Sequence, residues 1–152
     1  MRKLQLLAPA KNLACGIAAI DHGADAVYIG APSHGARIAA ANTLEDIRSL
    51  CDYAHRFGAE VYATVNTLVY DSEMADTLLM VAQLDAVGID AFLVQDMGLA
   101  QRMRGKYVLH ASTQCDTRTA EKVAWLRDQG FRRVVLAREL SLQAIREIRQ
   151  AV

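Results

Sequence analysis

No Cys-x-x-Cys pair occurs in this chain; Cys15, Cys51 and Cys115 stand far apart. That spacing gives no sign of a disulfide framework or a zinc site. Charge of one sign is also missing, because seventeen basic residues balance seventeen acidic ones. A dedicated nucleic-acid surface normally needs a basic excess. The one local cluster, Arg102, Arg104 and Lys106, reads first as a solvated loop. No apolar run approaches the roughly 18 residues of a membrane span. The opening Met1-Arg2-Lys3 leads into only about five apolar-rich positions before Pro9, too few for a secretory signal. A cytoplasmic protein without a membrane partner is therefore expected. Aromatics are only 6% against 53% hydrophobic residues, which points to an aliphatic, alanine-rich core. No Gly-x-Ser-x-Gly elbow, His-Glu-x-x-His pair or Walker loop is found, so several hydrolase and nucleotidase classes lose their signature.

What is present is one short phrase written four times. Gly88 to Asp96 reads GIDAFLVQD, Gly23 to Gly30 GADAVYIG, Gly58 to Asn66 GAEVYATVN, and Gly130 to Glu139 GFRRVVLARE. A glycine stops a helix, an apolar run makes a strand, and polar residues follow where most of the strands stop. Such recurrence predicts stacked βα units. The strands are expected at Leu4–Ala8, Ala26–Ile29, Val61–Val65, Ala91–Val94, Tyr107–Ala111 and Arg133–Ala137. Between them lie helices from about Asn12 to His22, after a Thr43 cap, from Asp71 or Ser72, around Leu99 to Arg104, and from about Thr119 to Asp128. Ser141 caps a last one. Strands separated by helices require crossovers and so a parallel sheet.

An open doubly wound sheet lacks its usual Gly-x-Gly-x-x-Gly turn here, since Ala8-Pro9-Ala10-Lys11-Asn12 stands after strand one. A (β/α)8 barrel takes roughly 250 residues and eight units. The expectation is a single α/β domain over residues 1–152: a truncated, TIM-barrel-like array of about six βα units, forming the amino-terminal fragment of a longer protein. The open sheet edges of such a fragment invite self-association.

In parallel α/β architectures chemistry sits at the carboxyl ends of the strands. The residues there are Asn66, Gln95, Asp96, Ser112, Gln114, Arg138 and Glu139. The amides can orient a polar ligand, Arg138 can hold a carboxylate or phosphate, and Asp96 and Glu139 can accept protons as catalytic groups. The blander reading of each is a loop staple, a helix cap or, for Arg138 and Glu139, an ion pair. Cys115 is the one cysteine at this end, with no identifiable base to activate it.

Six phrases together resemble the amino-terminal region of the peptidase U-32, or collagenase-like protease, family: LLAPA at Leu6–Ala10, the Gly23–Gly30 phrase, VNTL at Val65–Leu68, VQD at Val94–Asp96, STQ at Ser112–Gln114 and LARELS at Leu136–Ser141. The resemblance covers essentially the whole chain and implies a TIM-barrel-like domain in a longer bacterial protein. It implies a peptidase acting on peptides, or alternatively an iron–sulfur-dependent factor that hydroxylates RNA bases or a small aromatic precursor. A non-catalytic binding domain is the third reading. The cluster-holding cysteines of such members lie beyond the Arg-Glu-Leu-Ser segment, so no cofactor is expected on this segment alone. A family loop motif, arginine followed by Asn-Phe, is represented by Arg37 and by Asn42-Thr43, which makes Arg37 and Asn42 loop-borne ligand candidates.

Overall fold

The computed structural model describes residues 4–32 and 42–152. Arg37 lies outside the described residues, as does His34. Among the described residues six strands alternate with six α-helices: β1 (Leu7–Ala10), α1 (Leu13–Asp21), β2 (Ala26–Gly30), α2 (Leu44–Arg56), β3 (Glu60–Val65), α3 (Met74–Ala86), β4 (Ala91–Val94), α4 (Met97–Met103), β5 (Leu109–Ala111), α5 (Ala120–Asp128), β6 (Phe131–Val134) and α6 (Leu142–Ala151). The strands follow chain order in the sheet, and β1–β2, β2–β3 and β5–β6 pair in parallel. Six consecutive βα units in chain order are the repeating wall of a TIM-barrel-like fold, short of the usual eight. No helix among the described residues is long and apolar enough to cross a membrane.

The chain forms two compact units, one of Met1–Val65 with Tyr70–Phe92 and one of Asn66–Val69 with Leu93–Val152. In the first, Ala26, Val27 and Ile29 of β2 and Val61, Tyr62, Ala63 and Val65 of β3 are buried. Consecutive buried residues, rather than alternating ones, mark strands covered on both faces. Helix α2 turns Ile47, Leu50, Cys51 and Ala54 inward at helical spacing. Leu50 is fully buried, a contribution of about 1.5–3 kcal/mol by transfer. It reaches α1 at Gly16, where an added Cβ would stand 2.6 Å from its Cδ1. Thr43 and Asp46 close the expected capping box at the start of α2. Thr43 donates to the Asp46 carboxylate and holds its pKa below the ordinary value. In the second unit, Leu99, Ala100 and Met103 of α4, Leu109 and Ala111 of β5, Leu126 of α5 and Phe131 of β6 form the buried set.

Among the elements whose bounds differ from the sequence expectation, three have a physical reason. Strand β1 runs through Pro9 rather than ending at it, with Pro9 opposite Tyr28. As the terminal strand it needs ladder donors toward one neighbour only, so a residue without N–H is tolerated on the other side. Strand β6 begins two residues early and stops at Val134, because its partner β5 ends at Ala111 and the chain turns at Ser112. Beyond it only Val135 N–H to Ala111 C=O and a Thr117–Leu136 bridge continue the pairing. Helix α3 starts at Met74, not at Asp71 or Ser72, because Tyr70–Glu73 closes a turn first: the Glu73 N–H bonds Tyr70 C=O at 2.9 Å.

Candidate functional site

The polar residues predicted at the strand ends fall in the second unit, apart from the loop candidates. Asn66 opens its first segment, and its amide donates to Ser112 Oγ at 3.3 Å. Ser112 follows β5, is 2% exposed, and also accepts from the Gln114 N–H as cap of a 3-10 turn at Thr113–Cys115. Its own N–H reaches Val94 C=O at 2.9 Å, so the end of β4 and the turn after β5 are stitched together.

Asp96 caps α4. One carboxylate oxygen accepts from Leu99 N–H at 2.8 Å and the other from Val69 N–H at 3.4 Å. The carboxylate thus sets both the start of a helix and the path of the 66–69 segment. Gln95 is half-buried and Gln114 exposed, and neither side chain has a hydrogen-bond partner among the described residues.

Cys115 is buried and its thiol points to backbone, donating to Val94 C=O at 3.5 Å and Gln95 C=O at 3.9 Å. Burial raises its pKa, only partly opposed by the Lys122 charge and a backbone hydrogen bond around Ser112. Lys122 itself donates to the carbonyls of Cys115 and Asp116. A thiol held neutral in this way is a packing group rather than a nucleophile.

Glu139 and Arg138 do not pair with each other. Glu139 faces the Arg118 guanidinium at 3.9 Å, and Arg118 is bound at 2.6 Å to Asp116. The Asp116 hydrogen bond, more than the distant Glu139, raises the Arg118 pKa. Asp116 sits in the left-handed region at φ 48, a conformation that asparagine and aspartate tolerate best among non-glycines. Arg138 is exposed and has no ion-pair partner among the described residues. The strand-end pattern does not single out Asp116, Arg118 and Lys122, because it stops at Cys115. The available signal is a run of alternating charge, Asp-x-Arg then Lys, around the helix cap at Thr119.

Within the second unit Asn66 therefore bonds Ser112, Cys115 bonds the carbonyls of Val94 and Gln95, Asp96 bonds the Leu99 and Val69 N–H groups, and Glu139 faces Arg118. Asn42 belongs to the first unit. It is buried, and its amide donates to Lys11 and Gly30 carbonyls at 3.3 Å each, so it staples two loops there. The iron–sulfur cluster implied by the family resemblance does not fit the cysteines present. Cys15 is exposed, Cys51 and Cys115 are buried, and among the described residues no group of three His, Cys, Asp or Glu side chains can hold a metal.

Residues 11–152 match the family model described as Peptidase family U32. The chain is 50% identical over 149 residues to the 23S rRNA 5-hydroxycytidine C2501 synthase of Escherichia coli, covering 98% of this chain and 23% of that protein. It is 34% identical over 158 residues to the tRNA hydroxylation protein P1 of Bacillus subtilis, covering 99% and 37%. The chain thus spans well under half the length of these curated relatives. A solved U32 peptidase superposes with a TM-score of 0.75 at 15% identity, over all of this chain and 68% of that one. At that identity the likeness is one of fold.

Proposed function

Because this chain belongs to peptidase family U32, a family whose name and relatives point to different chemistries, we propose that it serves hydroxylation of a base in RNA rather than peptide cleavage. The observation that carries the reading is the 50% identity to an rRNA hydroxycytidine synthase along almost the whole chain. A tRNA hydroxylation protein at 34% identity supports the same substrate class. The site is compatible with that role. Asp96 and Ser112 are held by backbone N–H groups, Arg138 is open to a carboxylate or phosphate, and burial raises the Cys115 thiol pKa. In this reading Gln95, Gln114 and Arg138 meet the ligand, while Asp96 and Asn66 hold the loops that carry them. Glu139 is the remaining candidate for proton transfer.

The test is a gene deletion followed by nucleoside mass spectrometry of rRNA and tRNA. One hydroxylated nucleoside should vanish in the deletion strain and return with a plasmid copy. Persistence of every hydroxylated nucleoside would overturn the proposal. Cleavage of gelatin by the full-length protein, lost on Glu139→Ala, would instead establish the peptidase reading.

A further inference from the structure

The end of the second unit opposite the strand-end group carries a feature that no relative's name describes. The residues leading into β5 and β6 line a depression of about 460 Å³. Its walls include Arg104, Lys106, Tyr107 and Arg132, with Gly105 and Gly130 at backbone level and no acidic side chain. In a chain of zero net charge, three cations around one hollow are a local excess.

The hollow has a built edge and open charges. Arg104 donates to Asp128 C=O at 2.9 Å, which fixes the guanidinium against the loop. Its stem crosses Gly130, where an added Cβ would stand 3.2 Å from Arg104 Cγ. The Asp128 carboxylate pairs with Arg127 at 3.3 Å and is not among the residues that line the hollow. Lys106 and Arg132 are exposed and have no ion-pair partner among the described residues. Three cations and an aromatic ring around one hollow, with no acidic lining residue, match a phosphate-and-sugar backbone better than a single small anion.

We propose that this hollow is a phosphate-contact site for the RNA backbone, distinct from the strand-end group, with Arg104 as its fixed member and Lys106 and Arg132 as its open ones. The inference rests on the RNA-hydroxylation reading. It assigns the hollow to positioning, since phosphate contacts hold register without reading sequence.

The experiment uses the full-length protein and a labelled RNA hairpin, with fluorescence anisotropy measured across a salt series. Lys106→Ala/Arg132→Ala should weaken binding about equally for hairpins of unrelated sequence. It should also make the salt slope shallower by about 1 to 2, because each phosphate no longer neutralised keeps its condensed counterion. Thermal melting of the double variant, with Lys106→Glu as a second variant, shows that the fold is kept. Wild-type affinity and slope in both variants would overturn the proposal. Complete displacement of the hairpin by equimolar inorganic phosphate would also overturn it, by marking a small-anion site. If the deletion strain lacks a hydroxylated nucleoside and the double variant restores it while binding RNA normally, the hollow fails and the hydroxylation reading stands. If the deletion changes no nucleoside, the reading fails, and the salt series alone decides the hollow.

Discussion

The two ends of the second unit use their polar groups differently. At the carboxyl end, Asp96, Ser112, Asn66 and Cys115 are occupied by backbone and by each other, and Glu139 leans on Arg118. At the amino end, Lys106 and Arg132 face solvent with no carboxylate partner among the described residues. A polar residue at a strand end is thus not by itself a ligand. Asp96 and Ser112 there satisfy backbone N–H groups, and a buried one left unpaired costs about 1–3 kcal/mol. On the proposed reading, the smaller set of Gln95, Gln114 and Arg138 is left to meet a ligand there.

The strongest way to break this comparison is to remove the busiest carboxylate. Asp96→Ala deletes the α4 cap and the bond to Val69 N–H together. A cap is worth about 1 kcal/mol and a charged hydrogen bond about 1.5–3, so a loss of about 2 kcal/mol in urea unfolding is expected. Asp96→Asn keeps the cap and should recover most of it. Unchanged stability with hydroxylation abolished would show that the carboxylate is reserved for substrate, and the contrast between the two ends would collapse.

Next in size is Gly130→Ala at the amino end. The residue sits at φ 98 and an alanine Cβ would press on the Arg104 stem. A side chain in that backbone region costs roughly 1–2 kcal/mol. The urea midpoint should fall accordingly, and the RNA salt slope should change with it if Arg104 is displaced. A midpoint equal to wild type would mean that the stem is loose and the hollow has no fixed wall.

Most of the fold was legible in the sequence, and the reasons are local. The glycines of the repeated phrase stop helices through positive φ, as at Gly88 with φ 103, and caps such as Thr43 and Ser141 announce the following helices. The ends of β1 and β6 were not legible because they depend on which neighbour a strand has, a fact of pairing rather than of composition. The positions of the strand-end residues were legible for the same reason as the strands. Their partners were not. Nothing in the chain order couples Asn66 to Ser112 or Asp96 to Val69, hydrogen bonds that close over 46 and 27 residues. The cationic hollow was half visible: Arg102, Arg104 and Lys106 cluster in the sequence, but Arg132 joins the hollow only when β5 and β6 lie side by side.

Smaller effects sharpen the division within the carboxyl end. Arg118→Ala removes an exposed pair with Asp116 and a longer one with Glu139. Exposed pairs contribute about 0–1 kcal/mol, so stability should change little. Arg138→Ala should be as quiet in unfolding, because no ion pair is removed, yet it should lower nucleoside hydroxylation in the complemented deletion strain. Equal hydroxylation by Arg138→Ala and wild type would remove Arg138 from the ligand set.

The finest distinction concerns Cys115, where burial and the nearby Lys122 charge act in opposite directions. Burial has the larger effect, and the folded thiol holds its proton to higher pH than an unfolded one. The stability contributed by the neutral thiol is therefore full below the unfolded thiol pKa of about 8.5 and is lost as pH rises through the folded value. Cys115→Ala should flatten the alkaline decline of stability relative to wild type. Cys51, pushed up to about 12 by burial first and then by the Asp90 and Asp52 charges, leaves its own share of that slope in both proteins. The direct readout is alkylation by iodoacetamide, followed by peptide mass spectrometry. Exposed Cys15 should be modified at neutral pH while Cys115 stays free until strongly alkaline conditions. Modification of Cys115 as fast as Cys15 would mean that the Lys122 charge outweighs burial, that a thiolate stands open at the carboxyl end, and that a nucleophilic chemistry returns to consideration there.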